Sequence, residues 1–123
     1  MKSSKDYLDA ANADVPRVPG ADAIAKHGTD AVFIDVRDSS AIAQTGTIAG
    51  AQRIPRGMME FAADPETSFH NKALAKEAEI YLVCGAGGQA ALAGKTLKDM
   101  GYTNVTNIGG IGEWKEAGGP VEN

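Results

Sequence analysis

Residues Ile80-Tyr81-Leu82-Val83 form a short apolar run that passes directly into Cys84-Gly85-Ala86-Gly87-Gly88 and then into a helical stretch, Gln89 to Met100. Four apolar residues without polar alternation fit a strand covered on both faces, and such strands belong to parallel sheets flanked by helices. The pattern recurs along the chain. Ala31-Val32-Phe33-Ile34 is a second run, ending at Asp35-Val36-Arg37; Ala51 to Ile54 is a brief strand closed by Pro55; Val105 to Ile108 is a fourth. Between them lie Ala21 to Lys26, a segment from Ser39 to Gln44 that Ser39 caps, the Gln89 to Met100 helix stopped by Gly101, and a last helix from Ile111 to Ala117. Leu92, Thr96, Leu97 and Met100 mark the inward face of the long helix. Strands alternating with helices predict an α/β domain around a mainly parallel sheet. A first helix, Lys5 to Ala13, follows Ser3 and Ser4; residues 1–14 read as an N-terminal helical extension and residues 15–123 as the domain proper.

The chain has 123 residues, 43% of them hydrophobic, which suits one globular domain. A chain of this size buries roughly two thirds of its unfolded surface without needing a metal or disulfide staple. Its net charge is -4 and its pI about 5.1. Nucleic acid and anionic membrane surfaces, both bound largely through positive charge, are therefore not expected partners. The longest charge-free stretch, Ile80 to Gly94, falls short of the roughly 20 residues a bilayer requires. The N-terminus mixes Lys2 and Lys5 with Asp6 and Asp9 and has no apolar segment, so a secretory signal is not read there and a cytoplasmic location is expected.

Cys84 is the single cysteine, so neither an internal disulfide nor a cysteine zinc site is available. Two readings stand side by side for it. One is a small buried hydrophobe at a strand end. The other is a nucleophile at the carboxyl edge of the sheet, where open α/β sheets bind ligands and where the free N–H groups of a helix start point outward. Gly85, Gly87 and Gly88 let successive amides converge into an anion-binding nest. Helix N-termini favour the thiolate form of cysteines, so such a nucleophile needs no histidine base. His27 and His70 sit in no dyad or ligand pattern and read as surface or structural residues. Gly85-x-Gly87-x-x-Ala90 also fits a dinucleotide fingerprint, but no acidic residue ends the next strand and too little chain follows to complete that fold.

Three blocks in order resemble the rhodanese, or sulfurtransferase, superfamily across about Pro16 to Val121. The first is Ile34-Asp35-Val36-Arg37 with Gly46-Thr47-Ile48-Ala49-Gly50-Ala51 and Ile54-Pro55. The second is Cys84 to Gln89, then Ala91-Leu92-Ala93 and Met100-Gly101-Tyr102. The third is Asn107-Ile108-Gly109-Gly110-Ile111 with Trp114, Gly118, Pro120 and Val121. The resemblance implies a three-layer α/β/α fold with a mainly parallel sheet of about five strands. It also implies sulfur transfer through a persulfide on Cys84, with Gly85, Ala86, Gly87, Gly88 and Gln89 holding the transferred sulfur, and no metal or organic cofactor. The implied donors are thiosulfate, 3-mercaptopyruvate or a low-molecular-weight persulfide, and the implied acceptors are a thiol or cyanide. A non-enzymatic persulfide carrier or sulfur-responsive interaction module is the alternative.

The related cysteine phosphatases and arsenate reductases carry a loop one residue longer that ends in arginine. Here that position is Ala90, and Val83 precedes the cysteine, so the bidentate clamp for phosphate is missing. Gln89 stands where many small sulfurtransferases have an arginine, which leaves the loop uncharged. Arg53 and Arg56 flank Ile54-Pro55, and Arg56 is expected to lend the loop positive field for an anionic donor. Thr47 replaces the family's histidine and reads as a change in surface packing. Asp35 and Arg37 read as an ion pair at a strand end, and Trp114 as core.

Overall fold

The computed structural model describes residues 1–123. Helix α1 (Ser4–Asp14) and the short α2 (Gly20–Ala23) precede strand β1 (Val32–Asp35). Helix α3 (Ser39–Thr45), strands β2 (Thr47–Ile48) and β3 (Gln52–Arg53), and helix α4 (Met59–Ala62) follow. The second half comprises β4 (Ile80–Cys84), α5 (Gly88–Asp99), β5 (Val105–Gly110), α6 (Ile111–Glu116) and β6 (Val121–Glu122).

The central sheet runs β3-β1-β4-β5 and every pair in it is parallel. Alternate residues serve opposite layers, as the two-residue period of a strand requires. Ile34, Val36, Ile80, Leu82, Cys84 and Val105 face one core with α4 and α5. Phe33, Val83 and Ile108 face a second core with Ala23 of α2 and Ile111 and Trp114 of α6. Both faces are thus covered, which explains runs without polar alternation and gives the three-layer α/β/α arrangement.

The sheet has four strands rather than five. The place of a fifth is taken by one bridging residue, Arg17, beside Asn107 on β5. The Asn107 amide donates to the Pro16 carbonyl at 2.9 Å and the Val18 amide donates to the Asn107 carbonyl at 3.0 Å. The ladder ends there because Pro16 lacks the N–H that would carry it further. A second, antiparallel pair joins β2 to β6. Its two-residue strands carry no periodicity that a sequence reading can use.

Helix α3 begins at Ser39, but Asp38 caps it: the Asp38 carboxylate accepts the Ala41 amide at 2.9 Å. Gly101 adopts the left-handed conformation expected after α5. The buried face of α5 differs from the expected one. Ala90, Ala93, Gly94 and Leu97 are fully buried, whereas Leu92, Thr96 and Met100 are half-buried. Small residues are required because α5 is squeezed between the sheet and the N-terminal segment; a Cβ on Gly94 would lie 2.9 Å from Val15 and 3.3 Å from Leu82. Helix α1, which reads as an appendage in the sequence, lies against α5 with Ala11 and Val15 buried and Asp14 paired to Lys95 at 2.7 Å. No helix is long and apolar enough to cross a membrane.

Candidate active site

Strand β4 delivers Cys84 to the carboxyl edge of the sheet, and α5 starts four residues later. Gly87 makes this short connection possible: its φ of 105° lies in the left-handed region that side chains resist. As the N-cap of α5 it offers no side-chain acceptor to the orphan amides of the first turn. The Cys84 sulfur takes that place. The Gly87 amide donates to Sγ at 3.0 Å and the Ala90 amide, in the first turn of α5, donates to it at 3.4 Å. Sulfur thus occupies the position that a serine or aspartate oxygen holds in an ordinary N-cap. Two amide dipoles and the positive end of a twelve-residue helix converge on one atom, and that arrangement favours negative charge there.

Cys84 is 1% exposed and packs sideways against apolar core residues, while its sulfur meets the amides. Gly85, Ala86 and Gln89 are exposed at the rim, Gly87 is buried and Gly88 opens α5. The loop rests on the last residue of β5, which pairs in register with Cys84. A Cβ on Gly110 would come within 2.2 Å of the Gly85 carbonyl oxygen, so only glycine permits this approach. Asn107, fully buried, ties the two segments together: its Nδ2 donates to the Gly87 carbonyl at 2.9 Å and its Oδ1 accepts the Gly109 amide at 2.8 Å.

The structure brings Gly85 to Gln89 around Cys84 and gives the Arg56 guanidinium partners outside the loop. Arg56 donates to Glu60 at 3.0 Å and to Thr96 at 3.1 Å. Thr96 lies six residues beyond Ala90, about 9 Å along the helix. The Arg56 guanidinium makes no hydrogen bond to the loop. Arg53 is engaged by Glu122 and the carbonyl of Asn123. The cation that does touch the loop is Arg17, whose Nη2 donates to the Ala86 carbonyl at 3.1 Å and lies 3.5 Å from Glu113. Sequence reasoning missed Arg17 and Asn107. Pro16-Arg17-Val18-Pro19 signals an extended segment, but nothing local tells which strand it joins.

Asp35 and Arg37 form the buried pair expected of them, and Thr47 belongs to it. The Thr47 hydroxyl donates to Asp35 at 2.7 Å and the residue is fully buried, so this position is an interior polar contact rather than surface packing. Trp114 is core, with Nε1 donating to the Pro120 carbonyl. His27 contacts the Ala49 carbonyl at 2.7 Å, whereas the buried Nε2 of His70 has no partner. A cavity of about 280 Å³ near His27, Phe33 and Ala49 lies at the opposite end of the sheet from Cys84. No three His, Cys, Asp or Glu side chains are grouped to hold a metal.

Residues 21–117 match the family model described as rhodanese-like domain. Among solved structures, a protein of unknown function from Rhodopseudomonas palustris, described as a possible tyrosine phosphatase, is 37% identical with a TM-score of 0.91, over 99% of this chain and 96% of that one. The polysulfide-sulfur transferase homodimer of Wolinella succinogenes is 30% identical with a TM-score of 0.74, over 96% and 85%. The adenylyltransferase and sulfurtransferase UBA4 of Meyerozyma guilliermondii is 32% identical over 87 residues, which are 70% of this chain and 20% of that protein. The chain therefore spans about a fifth of that curated relative. With the family model laid over both cores and the cysteine loop between them, this chain belongs to the rhodanese-like domain family.

Proposed function

We propose that the protein is a sulfurtransferase in which Cys84 alternates between thiolate and persulfide. The observation that carries this reading is the convergence of the Gly87 and Ala90 amides on Cys84 Sγ. In the first step the thiolate attacks the outer sulfur of a donor such as thiosulfate, 3-mercaptopyruvate or a small persulfide. A sulfur–sulfur bond forms to Cys84, the donor's own bond to that sulfur breaks, and with thiosulfate the leaving group is sulfite. In the second step a thiol or cyanide attacks the terminal sulfur and the Cys84 thiolate departs with the electron pair. Splitting one transfer into two displacements is covalent catalysis, and amides aimed at the charged sulfur act as an oxyanion hole does for oxygen. The sulfur transfer named for the Wolinella and Meyerozyma proteins supports the class of chemistry. A cytoplasmic location is part of the proposal, supported by a lone cysteine without a disulfide partner.

Phosphatase chemistry, suggested for the Rhodopseudomonas relative, is disfavoured because Gln89 and Ala90 supply no guanidinium inside the loop. A second reading, a persulfide carrier or sulfur-responsive module without turnover, draws on the uncharged rim of Gly85, Ala86 and Gln89. Steady-state assays with thiosulfate, 3-mercaptopyruvate and glutathione persulfide separate the two. Turnover above that of Cys84→Ser with at least one donor is expected; rates equal to that control with every donor favour the carrier.

A further inference from the structure

Arg17 and Cys84 sit at the two ends of one peptide group. The Arg17 guanidinium donates to the Ala86 carbonyl at 3.1 Å, and the N–H of that same peptide, on Gly87, donates to Cys84 Sγ at 3.0 Å. The chain contains no cis peptide, and in a trans peptide the C=O and N–H point opposite ways. The cation therefore stands behind the loop while the sulfur lies in front of it. A cation on a carbonyl polarises the peptide and strengthens its N–H as a donor, as hydrogen bonds in series do. The carbonyl of the next peptide is also held by a side chain, Asn107, whose Nδ2 donates to the Gly87 carbonyl at 2.9 Å.

Arg17 is fixed in this place by the backbone. Its bridge to Asn107 at the edge of β5 sets the Cα, and the side chain crosses to Gly87 so closely that a Cβ there would lie 2.3 Å from Nη1. Glu113, 3.5 Å away, is a rival acceptor for the same guanidinium. Since the loop has no charged side chain of its own, positive charge reaches it through its backbone.

We propose that Arg17 is a positioning residue which stabilises the Cys84 sulfur anion by holding and polarising the Ala86–Gly87 peptide, and that Glu113 weakens this effect by competing for the guanidinium. The inference rests on Cys84 being the reacting sulfur. It is distinct from substrate binding, because the guanidinium acts on the outward-facing carbonyl.

The test is the rate of Cys84 alkylation by iodoacetamide at fixed neutral pH, with thiolate absorbance in the far ultraviolet, on the full chain and on urea-unfolded controls. Arg17→Met is expected to slow alkylation roughly two- to fivefold and to weaken the thiolate absorbance. Arg17→Lys, which keeps the charge, is expected to stay within about twofold of the wild type, and Glu113→Gln to react faster than it. Unfolded proteins are expected to react alike. Arg17→Met equal to the wild type, or Arg17→Lys as slow as Arg17→Met, overturns the proposal. Should Arg17→Met fail to fold, Glu113→Gln decides, and a rate at or below that of the wild type overturns it. No sulfur donor enters these measurements, so failure to form a persulfide would refute the proposed function and leave this result standing.

Discussion

Arg37 closes on Asp35 through Nε at 3.1 Å and Nη2 at 2.8 Å, and both side chains are buried at the end of β1. The remaining guanidinium donors reach Thr45 and the Gly46 carbonyl, while Asp35 also accepts the Thr47 hydroxyl and the Arg37 amide. The pair joins β1 to the α3–β2 corner on the edge of the sheet that carries Cys84. Removing one partner leaves an uncompensated charge in the interior, so Arg37→Ala is expected to cost about 3–5 kcal/mol in urea unfolding. Arg37→Lys is expected to recover little of this, because an ammonium cannot reproduce the fork. A loss below 1 kcal/mol by the same measurement would contradict this assignment.

Gly110 and Gly112 test the loop's resting surface as a pair. A methyl group on Gly110 would meet the Gly85 carbonyl at 2.2 Å, whereas one on Gly112 meets nothing within 4 Å. Gly110→Ala is expected to displace the cysteine loop and lower sulfur transfer by about tenfold or more, since small misplacements at a reacting centre are costly. Gly112→Ala, inside α6, is expected to leave activity unchanged and to raise stability by about 0.5–1 kcal/mol. Equal activity in the two variants would rule out this role for the loop floor.

Tyr81 is one of the groups whose titration is expected to lower stability at alkaline pH. Burial, and then the neighbouring Glu79 carboxylate that accepts its hydroxyl, push its titration up to about 12. An unfolded tyrosine loses its proton near about 10. Between those values the folded chain binds the extra proton, so stability is full below the window and falls as pH rises through it. Burial also raises Tyr102, with Asp64 adding to the effect. Thermal unfolding across this range is expected to show a declining midpoint, and Tyr81→Phe a shallower decline. An unchanged slope in Tyr81→Phe would assign the loss to other groups.

Much of the fold was legible because β1, β4 and β5 are apolar runs covered on both faces, and continuous hydrophobicity reports that directly. The cysteine loop was legible for a related reason: its distance from strand to helix leaves room for one tight turn, and the glycines show where it bends. Arg17 was not, because its role depends on which sheet edge Pro16–Val18 joins, a contact 90 residues away in sequence. Thr47 was misplaced on the surface because β2 is two residues long and its partner β6 lies at the C-terminus. Arg56 reads in the sequence as serving the loop, from its position after Ile54-Pro55; in the structure Glu60, one helical turn along, pairs with it, a contact that the spacing of four residues alone does not single out.

Intact mass after incubation with thiosulfate, 3-mercaptopyruvate or glutathione persulfide tests whether Cys84 carries sulfur. The wild type is expected to gain one sulfur atom, about 32 Da, which cyanide removes and which Cys84→Ser never acquires. No gain with any of the three donors, or a gain that survives in Cys84→Ser, would contradict it.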